Sequence, residues 1–162
     1  MKTIRKRRKE NKTDYGKRLK LLKGGKPRLV FRRTNKYVIV QYVKSKEAQD
    51  KIVFGIDSRE LLKHGWPEKA KGSLKSIPAC YLTGYLIGKQ IIKEKIEKPI
   101  VDFGMLKVLH KTKVYAFLKG VIDAGVEINC KDEAFPEEER IKGNSLKNKI
   151  SFDDIKSKID KL

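Results

Sequence analysis

The sequence predicts an α/β fold in which helices pack on a mixed sheet, with a basic N-terminal arm before the sheet and a polar C-terminal tail after it. Three segments rich in β-forming residues lie between positions 28 and 56, and their short polar connections predict an antiparallel three-strand meander. Residues 76–96 and 112–124 carry apolar residues at helical spacing and predict two long helices. The apolar run 100–103 between them predicts a strand that pairs in parallel through a right-handed crossover.

The arm comes first in the chain and has no sustained apolar period. Leu19, Leu21 and Leu22 predict one short helix seated on the domain, and the Gly-Gly-Lys-Pro segment that begins at Gly24 ends it. Fifteen of the forty Lys and Arg residues lie in the first 33 positions, against two carboxylates. The arm is therefore the most basic part of the chain.

The three strands of the meander follow the arm. The first is predicted at residues 28–33 and is followed by a turn that contains Asn35, a residue that tolerates left-handed backbone conformations. The second, residues 37–43, is apolar at most positions on both faces, which predicts that both faces are covered. A polar loop over residues 44–50 leads into the third strand at 51–56.

A short helix is predicted after the meander, over residues 57–67. Asp57 or Ser58 is expected to cap it. Residues 68–75 then form a basic loop that contains Gly and Ser.

The first long helix contains two glycines one turn apart, Gly84 and Gly88. Lys89 follows them, as in a phosphate-binding loop, but only three residues separate the glycines and Gln90 stands where Ser or Thr would hold magnesium. We therefore expect the glycines to let a neighbouring helix approach closely. Pro78 lies in the first turn of this helix, where its missing N–H costs nothing.

The second long helix is expected to be capped by Thr112 and ended by Gly125. Residues 126–128 predict one more short strand. Beyond them the chain is polar, and apolar residues at positions 150, 152, 155 and 159 predict a weak terminal helix.

Composition and charge indicate one modest domain with polar arms and a polyanionic partner. We divide the 162 residues into a basic RNA-binding arm (1–26), an α/β core domain (27–130) and a C-terminal extension (131–162). The net charge of +20 repels itself in isolation, and a nucleic acid is the simplest partner. With no apolar run of 18 residues, no apolar stretch behind the basic start, and Lys2 where myristoylation requires Gly, we expect no membrane segment and a cytoplasmic location.

Candidate catalytic and metal-binding residues are few. Cys80 and Cys130 lie far apart without a neighbouring His, which predicts small apolar side chains rather than a zinc site. Asp57, Asp102 and Asp123 fall at or near element ends, where a nuclease could hold two metal ions. Helix caps and surface ion pairs explain these carboxylates more simply. We therefore expect no enzyme, no cofactor and no metal, with a metal-dependent nuclease as an alternative.

An acidic segment occupies residues 132–140. A solvated loop is the favoured interpretation, and contact with a basic protein neighbour is the alternative. The Phe135-Pro136 pair favours some docking, because an apolar ring in a charged loop otherwise contributes nothing.

The arm combines its charges with Thr13, Asp14 and Tyr15, which indicates ordered binding rather than unspecific charge neutralisation. Arg and Tyr planes supply stacking and forked hydrogen bonds to a folded RNA. Asp14 is unsuited to phosphate attraction, but it can fix an Arg or accept a hydrogen bond from a base or a ribose hydroxyl.

Several longer motifs occur in a fixed order along the chain. They are Arg-Arg-Lys-Glu-Asn-Lys-Thr-Asp-Tyr at 7–15, Lys-Arg-Leu at 17–19, Lys-Pro-Arg-Leu-Val at 26–30, the residues from Arg32 to Asn35, Gln41, Glu-Leu to Gly-Trp over 60–66, Pro-Ala-Cys-Tyr-Leu-Thr-Gly-Tyr-Leu-Ile-Gly at 78–88, Ala-Phe-Leu-Lys-Gly-Val-Ile-Asp-Ala-Gly at 116–125, Phe-Pro at 135–136 and Arg-Ile-Lys-Gly at 140–143. On these motifs the chain resembles, over about residues 5–146, the archaeal and eukaryotic 5S rRNA-binding proteins of the large ribosomal subunit, universal family eighteen.

The resemblance implies a ribonuclease-H-like topology without catalysis and a role as a structural constituent of the large subunit. It implies binding to 5S rRNA in the central protuberance, with large-subunit rRNA, universal large-subunit protein five and other central-protuberance proteins as partners, and neither DNA nor membrane. By matching positions, the expected RNA contacts in the arm and at the first hairpin are Arg5, Arg7, Arg8, Lys9, Lys12, Thr13, Asp14, Tyr15, Arg18, Arg32, Arg33, Asn35, Lys36 and Tyr37.

One departure from the family pattern precedes the second long helix. The family usually has a Thr-x-Gly-Asn/Ser-Lys/Arg-Val turn, whereas the segment from His110 to Val114 is shorter and has no glycine. Lys111 and Lys113 keep the positive charge, so we include both among the expected contacts. A general architectural nucleic-acid-binding protein is the alternative function.

Overall fold

A four-stranded mixed sheet forms the centre of the molecule, in the order β3-β2-β1-β4. The structure is a computed structural model that describes residues 5–47, 49–144, 146 and 148–161. The strands are β1 (Arg28–Arg33), β2 (Val38–Lys46), β3 (Gln49–Asp57) and β4 (Ile100–Asp102). Strand β2 pairs antiparallel with both β1 and β3, and β4 pairs parallel with β1. The predicted α/β class, the meander and the parallel fourth strand are therefore confirmed.

Helices precede and follow the strands in the order that the sequence predicts. The α-helices are α1 (Lys6–Lys9), α2 (Tyr15–Lys23), α3 (Ile77–Lys93), α4 (Lys113–Asp123), α5 (Glu138–Lys142) and α6 (Phe152–Asp160). In the described residues, 3₁₀ helices occupy Ser58–Leu62, Glu68–Ser73 and Asp132–Ala134. The short arm helix, both long helices and the terminal helix are confirmed.

Two predictions about the strands are wrong. The expected polar loop at 44–50 is largely paired strand, because the β2–β3 ladder continues to the pair formed by Lys46 and Gln49. Its side chains are polar and do not alternate with apolar ones, so the sequence predicts a loop. The backbone hydrogen bonds of a hairpin do not require that alternation. Residues 126–128 form no strand, and the Val126 N–H donates to the Val121 carbonyl at the end of α4 instead.

Helix ends also differ from the prediction. The helix expected over 57–67 is a 3₁₀ helix of five residues, for which the Asp57 carboxylate accepts a hydrogen bond from the Arg59 N–H. Helix α3 ends three residues early, at Lys93. Thr112 does occupy the N-cap position of α4, but its hydroxyl donates to the Leu109 carbonyl at 2.6 Å and caps no helical N–H.

The two faces of the sheet differ in cover, which corrects the prediction for the middle strand. Val38, Val40 and Tyr42 of β2 are fully buried beneath the helices. On the opposite face, Ile39 and Gln41 are only half-buried, because the arm covers just part of this side.

The core depends on a close crossing of α3 and α4. A Cβ on Gly84 would lie 2.3 Å from the Phe117 carbonyl oxygen, and a Cβ on Gly88 would lie 2.6 Å from Cβ of Ala124. Gly120 makes the reciprocal approach, since its Cβ would lie 2.1 Å from the Tyr81 carbonyl oxygen. The expected close approach at the paired glycines is confirmed.

The terminal helix α6 packs against α3. Phe152, Ile155 and Ile159 are buried in the same core as the sheet and the long helices. The Phe152 ring packs against the Tyr81 ring with 5.4 Å between centroids. We therefore infer that α6 contributes to the stability of the whole domain.

Substitution Ile155→Ala is expected to lower the free energy of unfolding by about 2–4 kcal/mol, because it leaves a cavity at a site with 1% exposure. Urea denaturation would measure the change, and Ser157→Ala on the exposed side of α6 is the matched control. If Ile155→Ala were as stable as this control, α6 would be a peripheral extension instead.

Candidate nucleic-acid interface

The basic arm is a folded unit of two short helices joined by a tight turn. Asp14 is the N-cap of α2, and its carboxylate accepts hydrogen bonds from the backbone N–H groups of Gly16 at 3.0 Å and Lys17 at 3.2 Å. The bond from Lys17 is the main cause that lowers the pKa of Asp14. The same carboxylate lies 3.4 Å from the Arg8 guanidinium. Asp14 therefore fixes an Arg and starts a helix, which are local roles.

The other predicted arm residues also contact one another. The Arg7 Nε donates to the Thr13 hydroxyl at 3.0 Å, which closes the turn between the two helices. The Arg5 guanidinium lies over the Tyr15 ring, 4.9 Å from its centroid. Lys9 is exposed and Lys12 forms an ion pair of 2.8 Å with Glu10. Contacts within the arm thus hold the cations of Arg5, Arg7 and Lys12 in place.

The arm docks on the open face of the sheet through polar contacts. Arg18 donates to the Asp50 carboxylate on β3 at 2.8 Å. The Lys17 ammonium lies 3.4 Å from the Gly104 carbonyl oxygen, and an Arg8 N–H donates to the Met105 sulfur at 3.2 Å. No residue of α1 or α2 is fully buried, and of the leucines Leu19 is 55% exposed and only Leu21 and Leu22 are half-buried, so charged and polar groups make most of the docking contacts.

Arg28 lies beneath the arm and was not predicted from the sequence. Its side chain is 3% exposed and donates to Asp102 at 3.0 Å, to Asp50 at 2.7 Å and to the Ser45 hydroxyl at 3.1 Å. Arg32, farther along the same face, donates to the Asp102 side chain at 3.3 Å and to its backbone carbonyl at 2.8 Å. The sequence places Arg28 at the start of a predicted strand and within the motif at 26–30, and neither signal predicts its buried ion pairs.

These contacts enclose a cleft of about 270 Å³ between the arm and the sheet. Burial opposes ionisation of Asp50, but the hydrogen bonds from Arg18, Ser45 and Arg28 outweigh it and lower the pKa of Asp50 to about 2. The cleft is lined by predicted contact residues from both the arm and the first strand, namely Arg7, Lys12, Thr13, Asp14, Arg18 and Arg32. The structure thus brings Arg32 of the first strand together with the predicted arm residues.

The basic surface continues past Arg33 to the start of α4. Arg33, Lys107, Lys111, Lys113 and Arg140 line a neighbouring groove of about 490 Å³. Burial lowers the pKa of Lys113, and the positive charge of Arg33 lowers it further. The two cations are therefore close enough to act on one polyanion.

Lys111 lies in the segment that has no glycine, three residues before Val114. Its φ of 57° is left-handed, a conformation that a non-glycine residue adopts at a cost of roughly 1 kcal/mol. Its N–H donates to the Ala134 carbonyl at 2.8 Å, and its ammonium lies 3.5 Å from Glu137. A carboxylate of this chain therefore offsets part of the positive charge of Lys111.

The hairpin residues form a separate exposed corner. The Thr34 hydroxyl donates to the Tyr37 carbonyl at 2.7 Å and accepts from the Tyr37 N–H at 3.0 Å. Asn35 and Lys36 are exposed at the tip. The Arg59 guanidinium lies over the Tyr37 ring at 4.5 Å, which occupies one face of that ring.

The carboxylates of the nuclease alternative do not cluster. Asp57 pairs with Arg59, Asp102 pairs with the strand arginines, and Asp123 accepts from the Tyr81 hydroxyl at 2.7 Å. Among the residues that the structure describes, no group of three or more His, Cys, Asp or Glu residues is arranged to hold a metal ion.

The acidic segment docks on this chain rather than projecting freely. The Phe135 ring packs edge-on against Tyr115 with 6.4 Å between centroids, and the Lys119 ammonium lies 5.3 Å from the Phe135 centroid.

Cys80 is fully buried, which raises the pKa of its thiol to about 12, and Cys130 is half-buried and also a free thiol. In the described part of the chain, no helix is long and apolar enough to cross a bilayer.

Comparison with known proteins gives consistent matches. A family model described as "Ribosomal large subunit proteins 60S L5, and 50S L18" matches residues 1–99. Two similar proteins are both named "Large ribosomal subunit protein uL18". The one from Korarchaeum cryptofilum is 44% identical over 140 residues, which is 86% of this chain and 70% of the relative. The one from Thermofilum pendens is 40% identical over 143 residues, which is 88% of this chain and 71% of the relative.

Proposed function

This chain belongs to the uL18 family of large-subunit ribosomal proteins, and on that premise we propose that it binds 5S rRNA and helps to anchor it in the central protuberance. Membership makes the protein a structural constituent of the large subunit of the cytoplasmic ribosome, with rRNA as its partner, and not an enzyme. The 5S rRNA itself and universal large-subunit protein five are the proposed neighbours.

The observation that carries the proposal is the docking of the folded basic arm beside Arg32 and Arg33. RNA helices are recognised mainly through their shape and their phosphates. A surface that recognises shape needs cations at fixed separations, and the helices, the Asp14 cap and the contacts to the sheet supply them. A flexible polycation would supply charge alone.

Competition binding tests the proposal against the architectural alternative. Labelled 5S rRNA is bound to the whole chain at physiological salt and displaced by unlabelled 5S rRNA, by an unrelated folded RNA of equal length or by a DNA duplex. We expect 5S rRNA to compete about a hundredfold better than the other two, somewhat below the usual range for specific over non-specific DNA binding. Equal competition by all three would contradict the proposal and favour a general nucleic-acid-binding protein.

Tyr15 provides a residue-level prediction. Its half-buried ring is covered on one side by Arg5, and the other side is proposed to stack on an RNA base. Tyr15→Ala is expected to weaken 5S rRNA binding by about 1–3 kcal/mol, the range for the loss of one base–aromatic stack. Fluorescence anisotropy would measure it, with Tyr15→Phe as a control that keeps the ring. Unchanged affinity of the alanine variant would show that the ring packs only on protein.

A further inference from the structure

Two carboxylates lie within the basic surface, where simple attraction of a polyanion would disfavour them. We propose that Asp50 and Asp102 are positioning residues of the RNA-binding surface, which hold Arg18 and Arg32 in place and keep the arm docked on the sheet before RNA binds. This inference rests on the proposed function, because it assigns to these acids a role in binding 5S rRNA.

The side chains form a network of alternating charges, the charge network, that crosses from the arm to the fourth strand. Arg18 of α2 lies 2.8 Å from Asp50, and Asp50 lies 2.7 Å from Arg28. Arg28 lies 3.0 Å from Asp102, which in turn lies 3.3 Å from Arg32. The two carboxylates therefore link an arm cation to a sheet cation through one buried guanidinium.

Burial makes this charge network more rigid than ordinary surface ion pairs. The side chains of Arg28 and Asp102 are 3% and 7% exposed, so neither can readily exchange its partner for water. Asp50 is held by two guanidinium groups and by the Ser45 hydroxyl at 2.8 Å. Exposed pairs between mobile side chains contribute little, but a network of fixed partners fixes geometry.

The two outer arginines of this charge network, Arg18 and Arg32, remain at the surface. The side chains of Arg18 and Arg32 are 30% and 42% exposed, and both line the cleft beneath the arm. A guanidinium whose inner side is held by a carboxylate has a fixed plane, which suits forked contacts to phosphate.

Docking of the arm has a consequence for affinity. A segment that is ordered before binding does not lose its conformational freedom on binding, and the apparent dissociation constant rises as the docked fraction falls. Because α1 and α2 bury no residue, the polar contacts hold the arm, and the contact from Arg18 to Asp50 joins α2 directly to the sheet.

Asp50→Asn tests this role, because a positioning role and simple charge attraction predict opposite changes in the affinity for 5S rRNA. Removing a negative charge next to a polyanion should tighten binding if charge alone matters. We expect the variant to bind 5S rRNA roughly three- to tenfold more weakly, because the docked fraction of the arm falls. Glu47→Gln is the matched control, since Glu47 is exposed on the same hairpin and forms no ion pair with a described residue. It should bind as tightly as the wild type, or slightly more tightly.

Hydrogen exchange separates positioning from general destabilisation. In Asp50→Asn the amides of residues 15–23 should exchange faster while those of α3 stay protected. Faster exchange throughout α3 would mean that Asp50 only stabilises the fold, and unchanged exchange in 15–23 with undiminished affinity would also overturn the proposal.

A double-substitution cycle completes the test. In an Arg18→Gln background, Asp50→Asn should weaken binding much less than in the wild type, because the first substitution has already removed the ion pair between the two residues. Equal effects in both backgrounds would show that Asp50 does not act through Arg18. A wild-type protein that does not prefer 5S rRNA would instead contradict the proposed function, and the exchange of residues 15–23 would still report whether Asp50 docks the arm.

Discussion

Deletion of residues 1–18 is expected to leave a folded domain that binds 5S rRNA at least about a hundredfold more weakly. The segment carries nine Lys and Arg residues, and every cation that binds a phosphate adds a counterion-release contribution to affinity, which the deletion removes. The fold should survive because α1 and α2 contribute no buried residue to the core. Circular dichroism and fluorescence anisotropy would measure structure and affinity on the same preparation.

The control for this deletion removes charge elsewhere. Lys95, Lys149 and Lys161 are exposed and line neither the cleft beneath the arm nor the groove at the start of α4. Their combined replacement by Gln should weaken binding only slightly, and a similar loss of affinity in both variants would mean that total charge, not the arm, determines binding. An unfolded truncated chain would show that the arm is part of the structural core.

Substitution Gly120→Ala is expected to destabilise the domain by about 3 kcal/mol or more, the upper range for an overpacked core. The new Cβ would lie 2.1 Å from the Tyr81 carbonyl oxygen and 2.9 Å from the Tyr85 backbone nitrogen. Both neighbours are backbone atoms of α3, so no side chain can rotate away and the helices must separate. Urea unfolding would measure the change in stability.

Gly72→Ala is the matched control for this substitution. No atom lies within 4 Å of a Cβ at Gly72, so the change should leave stability within about 0.5 kcal/mol of the wild type. Wild-type stability of Gly120→Ala would contradict the close crossing of α3 and α4 on which the core is built.

The sequence predicted those parts of the fold that depend on local patterns. Short polar connections gave the meander, helical spacing gave α3 and α4, and the two glycines at 84 and 88 predicted the close crossing. The strand predicted at residues 126–128 is wrong, because β propensity alone does not make a strand that has no partner to pair with. The loop predicted at residues 44–50 is wrong, because the polar side chains of this hairpin show no alternation of apolar and polar residues.

The candidate interface was predicted in composition but not in arrangement. The arm and the residues from Arg32 to Tyr37 were identified by motif. The network under the arm joins residues 18, 28, 50 and 102, and contacts across such sequence distances leave no local signal. The sequence predicts a loop around Asp50, and it offers Asp102 as a metal ligand or, more simply, as a cap or a surface ion pair. The arrangement of β1, β3 and β4 in one sheet brings both carboxylates to Arg28.

Residue-level cross-linking of the protein to 5S rRNA tests the central claim most directly. Ultraviolet irradiation of the complex of the whole chain with 5S rRNA, followed by mass spectrometry, identifies the peptides that touch RNA. We predict cross-links within residues 5–18 and 32–37, and none from the acidic segment 132–140. Cross-links confined to α6 or to the acidic segment would contradict the assignment of the arm and the adjoining sheet as the 5S rRNA-binding surface.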